Sequence, residues 1–388
     1  MNRSEQSMLG HLSRCGLAAA LVASAWLTGC TTRRPIALEP TPSFVFRSLD
    51  LSQRAVDGNR GWDLISPEAR YDLISRTIRA RGPEGVLYRN DQPHFRITAD
   101  LATVLRDGEL VVLEGSVQLR QLNQRGLTIE GDNLIWTPSQ SRMVINQRPK
   151  ANDGETQIRS RELVFQQDTE VLEFKGPAQL YRVDESSSAS TVVKGGNGTW
   201  NLKSGLLQAP GPVRAIRSDG RTLSASGLDG NTLQGYLDLQ QPVTLVLEND
   251  RGQINAGQTR WLFTAKQFQS DQPVQADLKN SRVQGRGFKL DQTSGTVIIA
   301  NDCRVEQTSE TLTARRCAWN WRNERVVADG DVVLERTKPE QITRASRMEA
   351  RISENGEVRF GQAGARVEST IKLSPAAGEK PRRPQVSF

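Results

Sequence analysis

Side chains able to do chemistry are few and widely spaced in this 388-residue sequence. Two histidines, His11 and His94, do not suffice for a multi-imidazole metal site or a relay of several imidazoles. His94 lies between Pro93 and Phe95 with no serine or cysteine motif to serve, so a structural role is expected. Aspartate precedes glycine at Asp57, Asp107, Asp153, Asp219, Asp229 and Asp329. Such carboxylates could act as general acids, but Asp-Gly between alternating segments is also what hairpin turns require. The stretch Lys194-Gly-Gly-Asn-Gly198 offers backbone amides to an anion, yet it lacks the Gly-Lys-Ser/Thr ending of a phosphate loop and the Asp of a calcium-binding nonapeptide. No carboxylate pair can be nominated for glycoside cleavage. The expectation is a protein that is not an enzyme, with no catalytic residue, metal or cofactor.

The four cysteines divide by position. Arg3 and Arg14 precede an apolar run, Gly16 to Trp26, which ends in Leu27-Thr28-Gly29-Cys30 and then polar residues. The run is shorter than the roughly 20 apolar residues that a spanning helix needs. It reads as a signal segment, and its last four residues resemble the lipobox of bacterial lipoproteins. That resemblance implies cleavage before Cys30 and acylation of its sulfur, so Cys30 is the expected lipid anchor. Cys15 would leave with the signal, and Cys303 and Cys317 remain as a disulfide candidate, because two thiols of an exported protein tend to pair. A hairpin through Thr308 to Thr311, centred between them, would set the two opposite each other. The charge excess of 51 − 44 = +7 and a pI near 9.4 suit contact with anionic material. Basic residues are not interleaved with aromatic platforms, so nucleic acid is not an expected partner.

The elements that must position these residues recur at a fixed interval. Gln-Pro-Val occurs at 241 and at 272, and a series of short strands with the same start runs through the chain at Val86, Val117, Lys150, Ala178, Val213, Val243, Val274, Cys303, Val332 and Ala365. The mean spacing is (365 − 86)/9 = 31 residues. A second strand in each unit ends on a large side chain, as in Leu134-Ile-Trp136, Leu163-Val-Phe165, Thr199-Trp200 and Trp261-Leu-Phe263, and a third follows, as in Met143-Val-Ile145. Alternating apolar and polar residues give each strand one buried and one wet face. A single unit of this size cannot bury its apolar face, so successive units must stack. The expected fold class is all-β: an elongated structure of stacked three-stranded repeats. One local exception is expected, a capped helix over 66–82, from Ser66-Pro67-Glu68 followed by Leu73, Ile74 and Ile78 and closed by Gly82.

Three stretches resemble a known family. Phe44-Val-Phe-Arg-Ser-Leu49, then Trp62-Asp-Leu64 with Ala69-Arg-Tyr71, then Gly85-Val-Leu-Tyr88 with Phe95-Arg-Ile97-Thr-Ala99 follow the order of LptC, within the OstA-like superfamily of lipopolysaccharide-export proteins. Gly115-Ser-Val-Gln-Leu119 and the Leu-Thr-x-x-Gly-Asp-x-Leu-x-Trp pattern of Leu127 to Trp136 resemble the shared OstA-like repeat. The likeness spans about residues 44 to 370 and is strongest before 185. The chain is about twice as long as the enterobacterial member and carries a lipobox in place of a transmembrane helix, which suggests an enlarged type such as the cyanobacterial one.

The resemblance implies a β-jellyroll or β-taco with an apolar trough, and a division into signal peptide 1–29, lipidated Cys and tether 30–43, an N-terminal jellyroll part 44–185, continuing repeats 186–371 and a disordered tail 372–388. It implies lipopolysaccharide as cargo, with an inner-membrane ABC transporter and an LptA-like bridge protein as partners. It also implies the periplasmic side of a Gram-negative envelope, the inner membrane being favoured over the outer. Inward strand positions give the groove candidates Ile97, Val117, Leu119, Leu134, Trp136, Phe165, Val243, Leu245, Trp261 and Val274. The competing reading is a structural or adhesive β-solenoid lipoprotein whose interior is filled by its own side chains.

Overall fold

Each strand alternates inward apolar and outward polar residues, and the chain bends sharply about every half repeat. In Leu110–Gln121, for example, Val111 and Leu113 are buried before the bend at Gly115-Ser116, and Val117 and Leu119 after it. The computed structural model describes residues 44–55, 58–122, 126–154, 156–183, 190–247, 252–278, 281–338, 340–351, 358–361 and 366–372. The expected signal segment, Cys30, the expected tether through 43 and the part of the expected disordered tail 372–388 beyond Lys372 lie outside them. Among the described residues there are 35 strands, two 3-10 turns and no α-helix, and all strand pairs are antiparallel. The described residues belong to one compact unit.

The pairings resolve into two ladders. The first sheet starts at Phe44–Phe46 and Glu68–Asp72 and passes through Glu162–Gln166, Val171–Lys175, Gly198–Asn201 and Thr259–Leu262 to Val358–Phe360. The second starts at Leu49–Arg54 and Arg60–Ser66 and passes through Thr156–Arg159, Val213–Arg217, Val243–Val246 and Gln253–Ala256 to Glu368–Lys372. Long strands belong to both. Gln267–Leu278 pairs with Thr259–Leu262 through its first half and with Gln253–Ala256 through its second, and its register shifts between Ser270 and Pro273. Other crossings include those at Gly131-Asp132, Gly176-Pro177, Pro210-Gly-Pro212 and Gln241-Pro242. Bulges and Gly/Pro bends are the means by which a strand turns a corner from one sheet to the next.

Corners lie along one side of the unit and hairpin turns along the other. On the first sheet each described turn closes on a left-handed residue, its last or, at Gly108, its last but one: Arg76, Gly108, Ser141, Glu170, Gly205, Gly235, Lys266, Gly295 and Glu324. Their mean spacing, (324 − 76)/8, is again 31 residues. Successive turns are joined by backbone hydrogen bonds, among them Leu202 N to Glu170 O at 2.9 Å, Thr232 N to Gly205 O at 2.8 Å and Gln292 N to Lys266 O at 3.0 Å.

The all-β reading and the 31-residue period hold, with one change in the unit itself. Each layer contains four strand segments, a hairpin in each sheet, where three were expected. The fourth is hidden in sequence because a strand that turns a corner without a loop reads as one segment, as Thr128–Thr137 does. The expected helix over 66–82 is replaced by Glu68–Asp72 and Thr77–Arg81, paired with Ala69 against Ala80. Phe44–Phe46 and Leu101–Leu105 flank this hairpin and take up backbone groups that a helix would keep to itself. The Ser66 hydroxyl, expected at the helix start, donates to the carbonyls of Glu68 and Arg81, and Leu73 and Ile74 form an exposed hairpin tip.

Candidate functional site

The inward faces of the two sheets share one apolar interior that runs from Trp62 to Met348. The sheets meet face to face: Trp62 of the second packs edge-on against Trp136 of the first at 5.4 Å, and Phe95 against Phe165 at 5.5 Å. Every groove candidate named above lies on an inward face. Ile97, Val117, Leu119, Leu134, Trp136, Phe165, Val243 and Val274 are buried within this packing. Leu245 and Trp261 differ, since both border a slot that opens on the hairpin side.

Toward the N-terminal end the hairpin side is closed by a polar clamp. Glu170 ends a first-sheet turn, and its side chain is only 8% exposed. Arg89, in a second-sheet hairpin, reaches across: Nη1 donates to Glu170 Oε1 and Nη2 to the carbonyl of Gln167. His94 Nε2 lies 3.2 Å from Glu170 Oε1, and Gln121 Nε2 donates to Oε2 at 3.4 Å. Burial pushes the Glu170 carboxyl up, but Arg89 and then His94 outweigh it and hold the group below the usual glutamate value. Burial and the Arg89 charge push His94 below the ordinary histidine value, against the opposing pull of Glu170. This clamp accounts for His94 as a structural group. It was not legible in sequence, because Arg89 and Glu170 are 81 residues apart and sit in loops of different sheets.

Farther along, the two sheets part. The slot is narrow, with a volume of about 60 Å³, and is open to solvent on one side. Leu223, Leu245 and Leu247 of the second sheet face Trp261, Phe268 and Leu290 of the first, with Trp321 at one end. Trp261 lies flat on Phe268, with 5.4 Å between centroids and 12° between planes. Arg217 and Arg221 line the second-sheet rim; Arg217 Nε donates to Asp219 Oδ2 at 2.9 Å, and Arg221 donates to the same oxygen through Nε and Nη2. Burial raises the Asp219 carboxyl, but Arg221 and Arg217 override it and keep the group below the usual aspartate value.

A series of indole hydrogen bonds runs along the first sheet. Trp136 Nε1 donates to Gln167 Oε1 at 2.9 Å, and Trp200 Nε1 donates to Thr232 Oγ1 at 3.2 Å. In both the acceptor is the first residue of the next turn, 31 or 32 positions on. Trp261 and Gln292 stand in the same relation, since 292 − 261 = 31, yet no hydrogen bond joins them, and both border the slot. The indole N–H of Trp319 is buried without a hydrogen-bond partner among the described residues.

Cys303 and Cys317 are joined, with Cα atoms 5.9 Å apart. They are not hairpin partners: Cys303 stands opposite Ala314 in the second sheet and Cys317 opposite Ile299 in the first, so the bridge spans the interior beside a corner. Of the Asp-Gly residues, Asp107 and Asp219 lie in or beside hairpin turns, and Asp153 borders one. Asp229 instead pairs with Asp238 within a strand, and Asp329 precedes the corner at Gly330, so both depart from the hairpin expectation. Asp57 lies outside the described residues. Lys194 to Gly198 spans a corner between Ser190–Gly195 and Gly198–Asn201.

Residues 16–181 match the family model for lipopolysaccharide assembly, LptC-related. No curated protein matches the chain. A solved structure of LptH, the LptA-homologous periplasmic component of the conserved lipopolysaccharide transport device from Pseudomonas aeruginosa, is similar over 32% of this chain and 96% of its own. Its identity is 13% and its TM-score 0.29, too low to carry an argument. The part of the chain with the strongest sequence resemblance, residues 44 to 185, thus coincides with the part that matches the LptC-related lipopolysaccharide-assembly family.

Proposed function

We propose that the chain is a non-enzymatic component of the lipopolysaccharide-export bridge on the periplasmic side of a Gram-negative envelope, tethered through Cys30. In this reading it receives lipopolysaccharide from an inner-membrane ABC transporter and passes it along its interior to an LptA-like protein. The observation that carries the reading is an unbroken apolar interior between two sheets, joined at corners on one side and accessible between hairpins on the other. The LptC-related match supports it. The physical need is large: exposing a fourteen-carbon acyl chain to water costs on the order of 10 kcal/mol at about 0.8 per methylene. Energy for transport would come from the transporter, and the sheet ends at Phe44–Phe46 and Glu368–Lys372, each paired on one side only among the described residues, offer edges for neighbours.

The competing reading, a structural solenoid, is favoured by the dense packing around Phe165, Leu172 and Met143, which are fully buried among their own neighbours. Photocrosslinkers at positions 136, 245 and 261 in cells separate the two. Crosslinks to lipopolysaccharide that depend on ATP support transport, and their absence at all three positions supports the filled solenoid. Fractionation of wild type beside Cys30→Ala tests the tether, since the variant should leave the membrane fraction.

A further inference from the structure

Later turns of the first sheet lean on the turn before them, but the turn at Leu73 to Arg76 begins the stack and has none to lean on. The amides of Leu202 and Trp321 donate to the carbonyls of Glu170 and Gly295 in the preceding turns, and both side chains are buried. Leu73 holds the same place in the first turn and is 55% exposed. Ile74 beside it is 76% exposed, the highest value among the exposed large apolar side chains described. The tip has a fixed shape: the Asp72 carboxylate accepts from the amides of Ile74 and Ser75 at 2.9 and 3.1 Å, and Arg76 closes the turn. Phe44 lies opposite Tyr71, next to the tip, and is 52% exposed. On the outer face of this hairpin Arg70 stands directly across from Arg79, both are exposed, and neither forms an ion pair among the described residues. Arg76 shares the surface with Asp107 at 3.5 Å. Like charges placed opposite each other in a sheet repel, so this pair gains from an anionic surface.

The register also fixes where the upstream chain leaves the fold. Phe46 pairs with Ala69 and Phe44 with Tyr71, so the strand is entered from the tip end. Cys30 is 44 − 30 = 14 residues upstream, a length that spans at most about 50 Å however it is arranged. An anchor at Cys30 therefore keeps the tip within reach of the bilayer, where contact becomes an intramolecular event and weak affinity suffices. Apolar side chains rimmed by arginine have the composition of an interfacial membrane contact. Two convex side chains offer a protein partner much less than the area of a stable interface.

We propose that this tip is a membrane-contact site: Leu73 and Ile74, with Phe44 beside them, enter the headgroup region of an anionic bilayer while Arg70, Arg76 and Arg79 meet lipid phosphates. The inference rests on the reading of Cys30 as the anchor and adds a second point of attachment. Two points orient the molecule on the membrane, as one tether does not.

The test has two parts. The full chain with Cys30→Ala, which carries no anchor, is sedimented at low ionic strength with vesicles of phosphatidylglycerol or of phosphatidylcholine. Phosphatidylglycerol should be preferred; Leu73→Ser with Ile74→Ser should weaken binding at least fivefold, and Arg70→Gln with Arg79→Gln should remove most of the preference. All four side chains are exposed, and an unchanged thermal midpoint qualifies each variant. The acylated chain is then reconstituted in phosphatidylglycerol vesicles with a nitrobenzoxadiazole label on Ile74→Cys or, at the same turn position in a later layer, on Thr293→Cys. Brominated lipid should quench the label at 74 and spare the one at 293. Equal quenching at both, unchanged vesicle binding in the folded serine variant, or a photocrosslinker at 74 that captures protein instead of lipid in cells overturns the proposal. Should Cys30→Ala stay in the membrane fraction and leave only when Leu73→Ser and Ile74→Ser are added, the tip stands and the tether falls. Release of Cys30→Ala with no quenching at 74 keeps the tether and removes the tip.

Discussion

Val243 and Val274 are both direct cross-strand partners of Ala256, one on each side of it in the second sheet. The two copies of Gln-Pro-Val are therefore one structural position in adjacent layers. Pro242 and Pro273 stand where the chain enters the second sheet, at a place where no ladder hydrogen bond from that nitrogen is needed. Each valine then points inward and is almost wholly buried.

Because the valines are separated by a whole strand, substitutions there should act independently. Val243→Ala and Val274→Ala each remove two buried methyl groups and leave a small cavity, at about 1–2 kcal/mol apiece. Ala256 between them is too small to relay a shift. The double variant should equal the sum of the two within about 0.5 kcal/mol. Urea midpoints for the three proteins check this, and a marked excess in the double variant would show that the layers repack jointly.

This periodic part of the molecule was legible in sequence, because alternation and Gly/Pro punctuation are local properties of a strand and its corner. The spacing of Val86 to Ala365 and that of the left-handed turns from Arg76 to Glu324 have the same mean. What escaped were features decided by neighbours distant in the chain. Leu73, Ile74 and Ile78 carry a helical spacing, yet Phe44–Phe46 and Leu101–Leu105 pair with the segment and impose a hairpin. Likewise, nothing near Trp261 distinguishes it from Trp136 or Trp200, yet those two bond to the next turn while Trp261 stacks on Phe268. The clamp of Arg89, His94, Gln121 and Glu170 joins four separate segments and left no motif to read.

That clamp should make stability depend on pH in two steps. His94 is held below the ordinary histidine value of 6.5, chiefly by burial and then by Arg89. As pH falls below 6.5 the unfolded chain takes up a proton that the folded chain resists, so stability declines through the window down to the folded value. Glu170 is held below its ordinary value of 4.5, so its contribution is present above 4.5 and is lost as pH falls through the folded value. Denaturant midpoints should therefore drop first as pH falls below 6.5 and again as it falls below 4.5. His94→Gln should abolish the first drop and Glu170→Gln the second; persistence of both drops in both variants would assign them to other groups.

Removing only the cation from the same clamp leaves a buried carboxylate without its partner. For fully buried pairs this costs roughly 3–5 kcal/mol. Arg89 is a third exposed, so about 2 kcal/mol is the better expectation. Arg89→Met should lower the unfolding midpoint, and adding Glu170→Gln to it should recover part of the loss. Hydrogen exchange should localise the loosening to the turns at 89–92 and 167–170, and uniform loosening along the sheets would argue against a clamp.

The bridge between Cys303 and Cys317 closes a loop of 14 residues that begins in the second sheet and ends in the first. A loop of this length restricts the unfolded chain by about 3 kcal/mol in the chain-entropy account. Cys303→Ala with Cys317→Ala should speed exchange in Thr296–Glu306, Glu310–Ala314 and Arg316–Asn320 and leave the N-terminal layers unchanged. Equal exchange in the oxidised and substituted proteins would show that packing alone fixes this corner.

Corners make a sharper demand on side-chain size than strands do, and two glycines separate the cases. At Gly131 an added Cβ would come within 3.0 Å of the carbonyl oxygen of Gln147 and closer still to the Cγ2 methyl of the buried Ile145. At Gly211, in the corner Pro210-Gly-Pro212, nothing lies within 4 Å of that position. Overpacking of a tight site costs about 1–3 kcal/mol. Gly131→Ala should therefore be destabilising by that amount, while Gly211→Ala should be neutral or gain slightly from a less flexible unfolded chain. Thermal midpoints of the two variants decide the matter, because a requirement for glycine flexibility at every corner would penalise both, whereas a requirement for space penalises only Gly131.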